Sequence, residues 1–124
     1  MKNIIIVTGG AGFVGSNLIC LLIKKTKYKI LSIDNYSTGK KKNHIKNKRI
    51  TYLKGDTKNI NRIIGNKKKL VKTIFHFGEF ARIFQSFLKM KECIESNSVG
   101  TNAVFNFCLN NNIKLIYSAT SASI

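Results

Sequence analysis

With 124 residues and 44% hydrophobic side chains, the chain is sized for one globular domain with a modest core rather than for disorder. Its longest apolar run, residues 18–23, is far below the roughly 18 residues a bilayer span needs. No signal-peptide pattern opens the sequence, so a soluble, cytoplasmic protein is expected. The net charge of +17 admits a polyanion partner, but the lysines are spread along the sequence, with short runs only at 40–42 and 67–69. Abundant Lys, Asn and Ile fit an A/T-rich coding bias, and nucleic-acid binding is not the expected role. The three cysteines, Cys20, Cys93 and Cys108, lack metal-ligand spacing and read as small buried thiols.

The elements alternate. Residues 2–8 read as an apolar, β-branched strand buried on both faces. Residues 13–25 follow with helical spacing, Val14, Leu18, Leu21 and Leu22 forming the expected apolar stripe. A second strand covers 29–34 and ends on Asp34; residues 35–48 are polar and read as a loop. A third strand at 50–54, a weaker helix at 60–70 and a fourth strand at 73–77 come next. Residues 84–111 are helical, with a possible break near Glu92, and 113–118 form a fifth strand. This alternation predicts an α/β fold: a Rossmann-like, doubly wound parallel sheet with five strands in the order 3-2-1-4-5.

The most informative stretch is Gly9-Gly10-Ala11-Gly12-Phe13-Val14-Gly15-Ser16, lying between a strand and a helix. Gly9, Gly12 and Gly15 have the three-residue spacing of a turn that brings backbone and helix N-terminus to a pyrophosphate. Asp34, at the end of the next strand, stands nineteen residues beyond Gly15, where an acid hydrogen-bonds an adenine ribose and repels a 2′-phosphate. The pair points to NAD rather than NADP. The plainer alternatives are a glycine turn without a ligand and a solvated strand-end acid.

With these residues in view, the chain resembles the NAD-dependent epimerase/dehydratase family, the extended short-chain dehydrogenase/reductases. "TGGAGFVGSNL" resembles the family's TGxxGxxG opening, and "IDNYSTGKKKN" the segment after its second strand in UDP-sugar 4-epimerases. "LKGDTKN", "IFHFGEFARIFQS", "SNSVGTNAVFNFC" and "KLIYSATSAS" resemble four later motifs in their proper order. The resemblance covers the whole chain. It implies that Gly9, Gly12, Phe13, Val14 and Gly15 line the pyrophosphate turn, and that Asp34 and Asn35 hold the adenine ribose. By the same pattern Asp56 and Thr57 meet the adenine edge, Phe77, Gly78 and Glu79 run beneath the nicotinamide half, and Asn97 and Ser118 approach the cofactor. Thr120 falls where the family has a Ser/Thr on the reacting sugar hydroxyl, with Ser118 and Ser121 as competitors. His76 is expected to be structural rather than a base.

The implied function is the N-terminal, NAD-binding part of a nucleotide-sugar epimerase/dehydratase. A UDP-sugar would be the substrate, NAD would take up hydride transiently, and a homodimer is a further expectation. Glu79 departs from the small apolar residues that many relatives carry. The larger departure is the family's Tyr-x-x-x-Lys, which should follow the Ser/Thr cluster by a few tens of residues. The chain stops at Ile124, so that base, the later strands and the substrate domain are expected to be missing and the chain alone to be inactive. A stand-alone dinucleotide-binding module without catalysis is the main alternative; a basic nucleic-acid-binding protein is the third.

Overall fold

A computed structural model describes residues 1–37, 39–77 and 99–117. Five parallel strands make one sheet: β1 (Ile4–Thr8), β2 (Lys29–Asp34), β3 (Ile50–Lys54), β4 (Val71–His76) and β5 (Lys114–Tyr117). Their order is β3-β2-β1-β4-β5, as the β/α alternation predicts. Among the described residues the α-helices are α1 (Phe13–Lys25), α2 (Ile60–Ile64) and α3 (Thr101–Asn111).

Strand alternation splits the core in two. Ile4 and Ile6 of β1 join Leu31 and Ile33 of β2 on one face, where α2 and α3 contribute Ile60, Ile64, Val104 and Phe107. Ile5 and Val7 point the other way, onto Ile30 of β2 and onto Ile19 and Leu22 of α1. All five β1 residues are buried because successive side chains enter opposite, equally covered faces.

The structure corrects four sequence expectations. The buried stripe of α1 is Gly15, Ile19 and Leu22, whereas Val14 and Leu21 are exposed. Gly15 sets that register, because only a residue without a side chain lets the helix touch the loop before it. The helix expected over 60–70 is α only to Ile64; from Gly65, whose φ is +55°, it continues as a 3-10 turn to Leu70. β4 starts two residues early, at Val71, and a register shift against β1 lets Lys72 bulge out between Val71 and Thr73. Cys20 is only half-buried; Cys108 is buried, and burial raises its thiol pKa to about 11, leaving it an inert core residue, while Cys93 lies outside the described residues.

At the sheet's amino edge, Arg49 collects carbonyls at and beyond the end of α1. Its guanidinium donates to Thr26 O (2.7 Å), Tyr28 O (3.1 Å) and Ile23 O (2.5 Å). Three backbone acceptors on one planar fork fix the turn into β2, and hence where β2 delivers Asp34 at the far edge.

Candidate functional site

The carboxyl ends of β1 and β4 mark the topological switch, since β1 connects outward to β2 on one side and neighbours β4 on the other. The glycine loop leaves β1 there. Gly9 has φ +73°, a left-handed turn suited to glycine, and Gly12 N–H closes it onto Gly9 O at 3.1 Å. A Cβ on Gly15 would run into Gly9 O and lie 2.9 Å from Gly10 Cα, so the first turn of α1 sits directly on the loop. Helix α1 starts at N-cap Gly12 with no side-chain cap and no acid in its first turn. Its first N–H groups therefore remain available, at the positive end of the helix dipole, and no carboxylate competes with an incoming anion. Phe13 and Val14 are 80% and 58% exposed, an unusual display of apolar surface at the mouth of this loop.

Asp34 is not a solvated strand-end acid. It is only 7% exposed. Its Oδ2 accepts from Ala11 N–H at 3.0 Å, and its Oδ1 from Tyr36 N–H at 2.8 Å. The carboxylate thus ties the glycine loop to the end of β2 and still holds lone pairs for a ligand hydroxyl. Ala11 is clamped from its other side as well, its carbonyl accepting from Lys40 N (3.0 Å) and Asn43 Nδ2 (2.7 Å). The loop after β2 is drawn back over the glycine turn in this way. Asn35 is exposed, with its Oδ1 accepting from Ser37 N–H.

A latch with no signature in the sequence holds the same loop. Tyr36 has φ +62°, which is strained for a bulky residue. Its hydroxyl hydrogen-bonds His44 Nε2 at 2.8 Å, and the His44 ring stacks on Tyr52 of β3 with centroids 3.7 Å apart. Tyr36 and Lys40 do have the Tyr-x-x-x-Lys spacing. They lie in the loop after β2, however, and not after the Ser/Thr cluster. Burial, followed by the charge of Asp34, raises the Tyr36 pKa, the opposite of what a tyrosinate base needs.

Asp56 N-caps a 3-10 turn, its Oδ1 accepting from Lys58 N–H at 3.0 Å. Thr57 is buried, and its Oγ1 occupies the space that a Cβ on Gly100, the N-cap of α3, would need. Asp56 is therefore the more accessible of the two residues expected at the adenine edge.

Under the switch point lies a buried polar chain. Thr8 Oγ1 accepts from Phe77 N–H at 2.7 Å and lies 2.7 Å from His76 Nδ1; His76 Nε2 lies 3.1 Å from Thr101 Oγ1 of α3. His76 thus joins β1, β4 and α3, the structural role expected of it. Burial lowers its pKa from 6.5 to about 4. The folded protein takes up this proton only near pH 4, whereas the unfolded chain does so near 6.5. The His76 contribution to stability is therefore complete above pH 6.5 and is lost as pH falls toward 4, by about 3 kcal/mol in total. Urea denaturation at pH 7 and pH 4.5 should show this loss, and His76→Asn should reduce the pH dependence. An equal pH dependence in the variant would contradict it.

At the carboxyl edge of the sheet, Gly9, Gly12, Asn35, Asp56 and Phe77 lie in the loops, Phe13, Val14 and Gly15 in the first turn of α1, Asp34 at the last position of β2 and Thr57 in the 3-10 turn after β3. Gly78, Glu79, Asn97, Ser118, Thr120 and Ser121 lie outside the described residues. No group of three or more His, Cys, Asp or Glu that could hold a metal occurs among the described residues. No helix among them is long and apolar enough to cross a membrane.

A profile of the NAD dependent epimerase/dehydratase family matches residues 5–124. The chain belongs to that family. Among its relatives, Bifunctional protein GAL10 of Candida maltosa is 29% identical over 98% of this chain and 84% of the other. The UDP-N-acetyl-alpha-D-glucosaminuronate decarboxylase of Bacillus cytotoxicus is 32% identical over 98% of this chain but only 37% of its own length. The solved UDP-N-acetylglucosamine 4-epimerase of Methanobrevibacter ruminantium, in complex with UDP-N-acetylmuramic acid, superposes with TM-score 0.81 at 31% identity. That match takes in 98% of this chain and 39% of the epimerase. The chain thus spans well under half of these last two relatives. The glycine loop and Asp34 stand at the carboxyl edge of the sheet.

Proposed function

We propose that this chain is the NAD-binding part of a nucleotide-sugar epimerase/dehydratase, 4-epimerase-like and acting on a UDP-sugar. One observation carries the cofactor reading. Asp34 bonds Ala11 N–H of the glycine loop, so the ribose acid and the pyrophosphate turn form one preassembled unit beside an uncapped helix N-terminus. The residues fit the dinucleotide. The free N–H groups of α1 and the backbone of Gly9–Gly15 would hold the pyrophosphate, and Asp34 and Asn35 the adenine ribose. Asp56 would meet the adenine edge, and Phe77 would underlie the nicotinamide half. NAD, when bound, supplies a reversible acceptor for a sugar hydride.

The substrate reading rests on relatives whose names specify UDP-sugars. Thr120, with Ser121 and Ser118 beside it, is proposed to hydrogen-bond the reacting sugar hydroxyl. Gly78, Glu79 and Asn97 are proposed on the nicotinamide side. The expected Tyr-x-x-x-Lys after the Ser/Thr cluster does not occur within residues 1–124, and the Tyr36–Lys40 pair lies in the loop after β2. Residues 1–124 alone are therefore expected to bind NAD without turning over a UDP-sugar, since a positioned base contributes roughly 10²–10⁴-fold.

Calorimetry with NAD and NADP, and a coupled assay of UDP-glucose and UDP-N-acetylglucosamine epimerisation, test both halves of this reading. Saturable NAD binding, at least tenfold weaker NADP binding and no epimerisation are the expected results. NADP binding as tight as NAD would remove the role assigned to Asp34. Measurable epimerisation would remove the claim of inactivity.

A further inference from the structure

Several of the lysines that are scattered in the sequence are gathered by the topology. In a parallel sheet every strand starts at the same edge. Here Lys2 precedes β1, Lys29 opens β2, Lys48 precedes β3, residues 67–69 precede β4 and Lys114 opens β5. Backbone hydrogen bonds hold these starts side by side: Lys29 N to Asn3 O, Ile30 N to Arg49 O and Asn3 N to Leu70 O, each at 2.8–2.9 Å. Lys2, Lys29, Lys48, Lys67, Lys69 and Lys114 are all exposed.

No acid interrupts this row among the described residues. Asp34 and Asp56 both stand at the opposite, carboxyl edge, at and just beyond the ends of β2 and β3. Some of the cations serve the fold: Arg49 holds the end of α1, and Lys2 Nζ donates to Asn112 O at the end of α3 (2.8 Å). Each helix C-terminus offers only about half a negative charge, too little to balance the row. Five strands about 4.8 Å apart make a ledge roughly 20 Å wide, along which duplex DNA would present on the order of ten phosphate charges.

We infer that the amino edge of the sheet is a nucleic-acid backbone-binding ledge, distinct from the dinucleotide site at the carboxyl edge. Lysine suits it as a point charge that meets phosphates without reading sequence. A bilayer anchor would need a broad apolar face beside the cations. At this edge Ile4, Ile30 and Val71 are instead buried in the core, and the exposed Met1 and Leu70 are two separate side chains rather than a broad face. The ledge therefore favours the phosphate backbone of a nucleic acid over a membrane.

The test uses the full 124-residue chain and a fluorescein-labelled 20-base-pair duplex of mixed sequence, followed by anisotropy between 50 and 200 mM KCl. A triple variant, Lys67→Ala, Lys68→Ala and Lys69→Ala, is compared with a charge-matched one at the other edge, Lys42→Ala, Lys54→Ala and Lys58→Ala. Thermal melts check that both fold. Binding in the roughly micromolar range is expected, with the ledge triple reducing the slope of log K against log salt by about two to three and the control triple leaving it within about one of wild type. Equal losses in the two triples, no duplex binding at 50 mM KCl, or binding to phosphatidylserine vesicles without duplex binding would each overturn the inference.

Discussion

Gly15→Ala is expected to abolish detectable NAD binding and to lower stability by about 1–3 kcal/mol, the usual range for overpacking a tight contact. The added methyl would meet Gly9 O and Gly10 Cα, which are backbone atoms that cannot rotate away. Relief requires α1 to lift from the loop. That movement opens the Ile19 and Leu22 contacts with the sheet and shifts the helix N-terminus away from the proposed pyrophosphate position. Gly12→Ala is the informative comparison, because its Cβ would lie an ordinary 3.4 Å from Gly9 O. Its stability should stay within about 1 kcal/mol of wild type. Chemical denaturation and calorimetry with NAD check both. A Gly15→Ala protein that melts and binds like wild type would contradict this packing of helix on loop.

Asp34→Asn should have the second large effect. The carboxylate accepts from Ala11 N–H and Tyr36 N–H through different oxygens. An amide replaces one of those acceptors with a donor, setting N–H against N–H in a site only 7% exposed. Hydrogen bonds to a charged group contribute about 1.5–3 kcal/mol each, so a stability loss of about 2–4 kcal/mol is expected. Loss of the proposed ribose contacts as well should weaken NAD roughly 100-fold and narrow the gap between NAD and NADP. An Asp34→Asn protein that keeps its preference for NAD would show that the acid serves the loop alone.

How much of this is legible in the sequence depends on the range of the interaction. The β-branched runs Ile4–Thr8 and Lys29–Asp34 declare themselves locally, and right-handed crossover rules then leave few sheet orders. The glycine spacing and Asp34 are likewise visible, because a strand–turn–helix junction is a local pattern. The α1 stripe is not, since hydrophobicity alone ranks Val14 and Leu21 with Leu22. The decisive contact is Gly15 against Gly9, made by the absence of a side chain. The fate of the Asp34 carboxylate depends on Ala11, twenty-three residues away, and the Tyr36–His44–Tyr52 latch on a left-handed backbone that no residue type announces. Gly100 belongs to a recognisable Asn-x-x-Gly-Thr run, but the reason for a glycine there, Thr57 pressed against it, exists only in three dimensions. The basic ledge is hidden for the same reason: residues 2, 29, 48, 67–69 and 114 become neighbours only once the strands are parallel.

Whether the glycine loop and Asp34 together hold NAD is decided by titrating the ¹⁵N-labelled chain with the cofactor and following amide chemical shifts. Saturable changes are expected at Gly9 to Ser16, at Asp34 to Tyr36 and near Asp56, with amino-edge amides such as Lys29 and Lys114 unmoved. No saturable change, or changes centred away from the glycine loop and Asp34, would contradict NAD binding at this site.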